Sequence, residues 1–307
     1  MSMTYRSSAA FRQALDARLK PMARERHLSV ARLRKEIAFD RLLARLLIVA
    51  PHRWVLKGGV ALDHRLGDRA RATNDIDLGR RDNIAAATTD LQEAAKVDLG
   101  DYLSYAIRLS EDLPDLREEG VAARYHAQVT LGGRLFENTV IDVGFDAPPA
   151  AQVDYLVGRD LLSFAGLPAV PIPTLPLAYH IAEKVHAYTG TYGREGRGST
   201  RVKDLIDLAL IATSSTIEAA TLVAALEATF ARRGTHALPS ALPVPPSEPP
   251  MGQIWSVAYT KMASDVGLDD RVAQGHATAA RCVDPVLNRS CGDAARWNPA
   301  TEVWESD

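Results

Sequence analysis

Hydrophobic residues recur at helical spacing near the start of the chain, at alternate positions through its middle, and at helical spacing again in its second half. Phe11, Leu15 and Leu19 stand at i, i+4 and i+8 and predict a helix over 8–20, closed by Pro21. A second helix is expected over 29–49, burying Leu33, Ile37, Leu43 and Leu47. Its Arg34, Arg41 and Arg45 share one side and read as a solvated face. Trp54 to Leu78 then reads as strand, glycine turn, short helix, polar loop and strand, and 83–97 as a helix. From there the period drops to two. Leu103, Tyr105, Ile107 and Leu109 alternate, as do Ala123, Tyr125, Ala127, Val129 and Leu131 against outward Arg124, His126, Gln128 and Thr130. Gly132-Gly133 predicts a hairpin turn, with 134–145 as the return strand.

Residues 167–176 carry four prolines and predict a crossing between domains. Beyond them Leu177, Ile181 and Val185 form an apolar stripe, with His180, Lys184 and Tyr188 on a polar side. The glycine- and arginine-rich GTYGREGRGST reads as a mobile basic loop able to approach a polyanion. RVKDLIDLALIA is expected to be a helix that is apolar on nearly every side. Ser215-x-x-Glu218 reads as a capping box opening another helix, which ends at Arg232, Arg233 and Gly234. From His236 six prolines in fifteen residues predict a stiff linker or wrapping arm. An amphipathic segment near Trp255 to Ala263 follows, and Trp297 and Trp304 are expected to anchor the tail. The expected organisation is α+β: N-terminal helices over 1–50, a mixed-sheet core over 51–165, a helical domain over 166–235, and a linker with a C-terminal segment over 236–307.

Composition changes this picture little. The 307 residues are 47% hydrophobic and 24% charged, and 36 basic against 38 acidic side chains leave a net charge of −2. That excludes a basic nucleic-acid coat and confines any RNA contact to local patches. The first residues lack a signal-peptide core, and no apolar run approaches 18 residues, so no membrane span is expected. Cys282 and Cys291 fit no zinc pattern, and a cytoplasmic protein with reduced thiols is the expectation.

The candidate chemistry starts at Asp75 and Asp77. Residues two apart on a strand leave the same face, so the two carboxylates emerge together while Ile76 and Leu78 enter the core. Two such charges call for a divalent cation with oxygen ligands. Gly58 and Gly59, after Trp54, Val55 and Leu56, let backbone amides at a helix start approach an anion. A phosphate cradle beside a metal clamp suits a nucleoside triphosphate. Asp142 lies inside the apolar strand ENTVIDVGF and needs a partner, which a metal shared with Asp75 and Asp77 would supply; a local hydrogen bond is the alternative. Asp204 and Asp207 share surroundings on their apolar helix and need cations, for which Lys184 and Arg201 are the candidates. Other chemistries find no support. The two histidines of HIAEKVH are on different helix faces, GREGRG is not a phosphate-binding P-loop, and no acyl-transfer motif occurs.

Taken together, LKGGVAL (56–62), R-x-T-x-D-I-D-L (71–78), Glu183-Lys184 and R-x-K-D-x-x-D (201–207) resemble the AbiEii/AbiGii-type nucleotidyltransferase toxins. That group includes MenT-like proteins and belongs to the DNA polymerase β-like superfamily. The D-P-V-L and W-N-P segments of the tail are also similar, so the resemblance runs from about residue 28. It implies a nucleotidyltransferase-type mixed sheet with flanking helices, and a toxin that adds nucleotides to the 3′ end of tRNA under control of a cognate antitoxin. By that resemblance Asp75, Asp77 and Asp142 would bind Mg²⁺ or Mn²⁺. Lys57, Gly58, Gly59, Arg71, Thr73 and Lys184 would bind the NTP. Lys184 with Asp204 or Asp207 would occupy the later catalytic positions. A small-molecule, aminoglycoside-like nucleotidyltransferase and a non-catalytic nucleotide-binding regulator are the alternatives.

Overall fold

The structure, a computed structural model, describes residues 5–111, 121–147, 152–192, 197–198 and 201–306. The chain forms two compact units. One comprises residues 1–68 and 72–175, the other residues 69–71 and 176–307.

The first unit is built on a seven-stranded mixed sheet. Its strands are β1 (Val55–Lys57), β2 (Asp75–Gly79), β3 (Leu103–Leu109), β4 (Ala123–Leu131), β5 (Arg134–Gly144), β6 (Asp154–Val157) and β7 (Pro171–Thr174), in the order β3-β4-β5-β2-β1-β7-β6. β2 and β5 are parallel neighbours, and β1 is antiparallel to β2. Helices α1 (Ser8–Glu25), α2 (Val30–Val49), α3 (Gly58–Leu66) and α4 (Ile84–Lys96) complete the unit. Leu33, Ile37, Leu42, Leu43 and Leu46 of α2 are all buried in one core with Ile76, Leu78, Tyr125, Ile141 and Val143 of the sheet. Each such side chain contributes about 1.5–3 kcal/mol on burial.

Three expectations for this unit are corrected. Pro21 does not close the first helix; α1 continues through it to Glu25, because Leu19 and Ala23 on either side are both buried against the core. Arg41 and Arg45 are not solvated. Arg45 is fully buried and both guanidiniums converge on the buried Asp101, at 2.9 and 2.7 Å. Nothing within α2 announces Asp101, which enters from the loop before β3. Residues 171–174, expected as part of a crossing, are instead a strand between β1 and β6. Pro171 and Pro173 alternate, so the missing donors fall along one edge only, and Leu175 still donates to the Leu56 carbonyl at 2.8 Å.

The second unit is mainly helical: α5 (Leu177–Thr189), α6 (Val202–Ala212), α7 (Ala219–Arg233), α8 (Met251–Val266) and α9 (Val272–Leu287). Strands β8 (Thr191–Tyr192) and β9 (Arg197–Gly198) form a short pair, and most of the expected basic loop between α5 and α6 lies outside the described residues. α9 has no counterpart among the expected elements. Nor does Ser215 cap α7. Ile217 and Glu218 form β10, which pairs with β11 (Arg296–Asn298) beside β12 (Val303–Glu305), and α7 starts only at Ala219. The tryptophans anchor the tail as expected: Trp297 Nε1 donates to the Ala212 carbonyl at 2.7 Å, and Trp304 Nε1 to that of Cys282 at 2.9 Å. The proline-rich segment wraps its own unit, with Leu242 buried and its amide donating to Asp284 at 2.8 Å. Among the described residues no helix is long and apolar enough to cross a membrane.

Candidate active site

β1 brings in Lys57 and ends where Gly58 turns the backbone to φ +60° and α3 begins at once. A Cβ on Gly58 would lie 1.8 Å from Oδ2 of Asp77, and one on Gly59 would lie 2.8 Å from Thr73. The two glycines are therefore what lets the start of α3 approach Asp77 and Thr73. No side chain caps that helix start, which leaves its first amides oriented to donate to an anion.

Strand pairing then sets the functional side chains in rungs across one face of the sheet. On the first rung Lys57 faces Asp77, Asp77 faces Asp142, and Asp142 faces Arg124. On the second, Asp75 faces Val140 and Val140 faces His126. Ile76 and Leu78 are fully buried on the opposite face, as the alternation predicts, while Asp75 and Asp77 remain partly open to solvent. Thr73 donates its hydroxyl to Asp75 at 2.7 Å, and Lys57 Nζ lies 3.5 Å from Asp146.

Asp142 is buried on an interior strand, and Arg124 of the neighbouring strand donates to it from Nε and Nη2 at 2.7 and 2.6 Å. The carboxylate's local bonding partner is thus a guanidinium. Among the described residues no group of three or more acidic, histidine or cysteine side chains forms a ready metal site. Asp75 and Asp77 themselves supply hard oxygen donors from one face, a donor set that fits Mg²⁺ or Mn²⁺.

The helical unit holds a second charged cluster. Lys184 of α5 reaches Asp204 at 2.9 Å and Asp207 at 2.8 Å, both on α6 and both fully buried. Arg201 also bonds Asp204. Arg71, one of the three residues of 69–71 that group with this unit, donates to Asp207 from Nε and Nη2 at 2.8 and 3.0 Å. Burial by itself would push the Lys184 ammonium toward neutrality. The two carboxylates outweigh it and hold its pKa above the ordinary lysine value. Burial likewise opposes ionisation of the two acids, but Lys184 with Arg201 keeps Asp204, and Arg71 with Lys184 keeps Asp207, below the ordinary carboxylate range.

The structure thus brings Gly58, Gly59, Thr73, Asp75, Asp77 and Asp142 together around one end of β2, and Lys184, Asp204, Asp207 and Arg71 together on α5 and α6. Two pairings escape the sequence reading. Alternation sets Arg124 outward on β4 without naming its cross-strand acid, and the resemblance puts Arg71 with the nucleotide rather than on Asp207. Outward alternation on both hairpin strands is the signal that could have found the first.

The family model for the "Nucleotidyl transferase AbiEii toxin, Type IV TA system" matches residues 41–280, well over half of the chain. The chain belongs to the AbiEii family. It is accordingly a nucleotidyltransferase and a toxin of a toxin–antitoxin system, which implies an NTP substrate and an antitoxin partner. Among solved structures it is similar to MenT4, a nucleotidyltransferase toxin from Mycobacterium tuberculosis H37Rv. The TM-score is 0.51 at 17% identity, over 89% of this chain and 99% of that one. JHP933 from Helicobacter pylori matches with a TM-score of 0.44 at 16% identity, over 83% and 94%. The MenT4 likeness supports the mixed α/β fold of an AbiEii protein. No curated protein matches the chain in sequence.

Proposed function

We propose that this AbiEii toxin transfers a nucleotidyl group from an NTP to the 3′ hydroxyl of an RNA, with tRNA as the acceptor, and so blocks aminoacylation and growth in the cytoplasm. The observation that carries the reading is the placement of Asp75 and Asp77 on one sheet face, with Asp77 packed against the glycine that opens α3.

Asp75 and Asp77 would hold Mg²⁺ or Mn²⁺, whose charge offsets that of the triphosphate and favours ionisation of the acceptor hydroxyl. Asp142 is the next carboxylate on the same rung as Asp77 and the candidate third ligand. Thr73 orients Asp75 through its hydrogen bond. The amides opening α3 donate to phosphate oxygens, with Lys57 beside them on β1. By the order of the family's motifs Lys184, kept charged by Asp204 and Asp207, would be a point charge for phosphate. In the transfer itself, the acceptor oxygen bonds to the α-phosphorus and its proton passes to solvent. The bond from that phosphorus to the bridging oxygen breaks, and pyrophosphate leaves with the electron pair.

The test is incubation of the protein with each labelled NTP and total RNA. Label is expected in the tRNA band, and a D75A/D77A variant of unchanged melting temperature is expected to leave none. Labelling by that double variant would refute the site. Pyrophosphate release with label in a small molecule and in no RNA would refute the acceptor.

A further inference from the structure

The sheet face that carries Asp75 and Asp77 does not end at Asp142. Outward from β5 it continues over β4 and β3 as an open groove of about 560 Å³. Lys35 of α2 and Asn74 form one side of it, and Arg108, His126, Gln128 and Asn138 line its floor. The pairing orders these groups. Arg108 faces His126 on the rung that runs through Val140 to Asp75, while Asn138 faces Gln128 on the next rung. Three inter-strand steps separate Arg108 from Asp75, about 14 Å at ~4.8 Å each. The four floor side chains are exposed, and Lys35 Nζ is steadied at the rim by Asn74 at 2.8 Å.

The lining has two basic side chains, Lys35 and Arg108, three carboxamides, no carboxylate, and the His126 imidazole as its single ring. A polycationic acceptor such as an aminoglycoside needs carboxylates along its site, and this groove supplies none. Cations facing an open channel attract a polyanion. Carboxamides present a donor and an acceptor from one side chain, the pairing that a ribose 2′-hydroxyl, itself donor and acceptor, can satisfy. With no Phe, Tyr or Trp and only the His126 imidazole for a base to stack on, the groove offers most of its contacts to sugar and phosphate rather than to base identity.

We propose that this groove is the acceptor subsite: it binds the sugar–phosphate backbone of the single-stranded 3′ end of an RNA and delivers the terminal ribose toward Asp75. The proposal rests on the transferase reading above and assigns residues that the reading does not need. Arg108 takes a phosphate, and Gln128 and Asn138 take ribose hydroxyls.

The experiment measures binding of a fluorescein-labelled eight-nucleotide RNA with a free 3′ hydroxyl, and of its DNA counterpart, by anisotropy across a salt series. NTP binding is followed in parallel by calorimetry. Wild type is expected to prefer RNA over DNA several-fold. R108A should weaken RNA binding about tenfold and lower the salt slope by about 1. Q128A/N138A should bring the RNA-to-DNA ratio close to one. NTP affinity and melting temperature should stay within twofold and 2 °C, roughly, in both variants, since these side chains are exposed. Unchanged RNA binding in both variants, while wild type still labels RNA, would overturn the subsite and leave the function standing. Failure of wild type to bind or label any RNA would overturn both.

Discussion

Replacing Gly58 by alanine probes the one position where backbone shape and candidate chemistry meet. Gly58 has φ +60°, and a Cβ there would stand 1.8 Å from Oδ2 of Asp77 and 2.5 Å from its Cγ. Ordinary contact begins near 3.4 Å, so the carboxylate would have to retreat by about 1.6 Å. Left-handed backbone costs a non-glycine residue roughly 1–2 kcal/mol, and a displacement of ~1 Å at a reacting centre can cost 10²-fold in rate. G58A is therefore expected to lose at least ~100-fold in transfer while losing only about 1–3 kcal/mol of stability. The control is G67A. Gly67 has φ +62° and open space within 4 Å of where a methyl would sit, so it carries a positive-φ backbone penalty of its own without the contact. Initial rates of label transfer, with urea unfolding of each variant, separate the two effects. If G58A transfers within threefold of wild type, or G67A loses as much as G58A, the packing of Asp77 against this glycine does not matter to the reaction.

Further outcomes follow from the two charged interiors. Arg45 is fully buried with Asp101, which it shares with Arg41. R45M should cost about 3–5 kcal/mol in urea unfolding, because it leaves a buried carboxylate short of a partner; a loss below ~1 kcal/mol would show the pair to be dispensable. His186 is buried beside His236, 4.5 Å between ring centres, with Arg201, Arg232 and Arg233 adding positive charge around it. Burial first, and these cations next, lower its pKa from 6.5 to about 4. The folded protein therefore takes up this proton less readily than the unfolded chain. The contribution is complete above pH 6.5 and is lost as the pH falls toward 4, by at most roughly 3 kcal/mol. Unfolding free energies at pH 7.5 and 4.5 should show a smaller drop for H186Q than for wild type, and parallel drops would contradict the assignment.

Much of the architecture is legible in local pattern. Alternation sets the inward and outward residues of β2, β3 and β4, glycine pairs mark the turns, and the D-I-D spacing puts two carboxylates on one face. These follow from the geometry of an extended or helical backbone, which acts over a few residues and is written in order along the chain. Where neighbours in space decide instead, local pattern misleads. Pro171 and Pro173 look like linker chemistry, yet a place beside β1 makes them a strand. Ser215 and Glu218 look like a cap, yet pairing with the distant Arg296 and Trp297 draws Ile217 and Glu218 into a sheet.

The hairpin of β4 and β5 shows the division most closely. Counting back from Gly132-Gly133 places Arg124 opposite Ile141, but a register shift between Val129 and Thr130 moves it opposite Asp142. One extra residue on β5 thereby sets apolar Tyr125 against Ile141 and gives the buried carboxylate a guanidinium. The sequence alone determined which side chains carry charge and which strands they ride on. Only the tertiary structure decided which charge meets which, because ion pairs such as Arg124–Asp142, Arg71–Asp207 and Arg45–Asp101 join residues up to 136 positions apart, and no local backbone preference reaches that far.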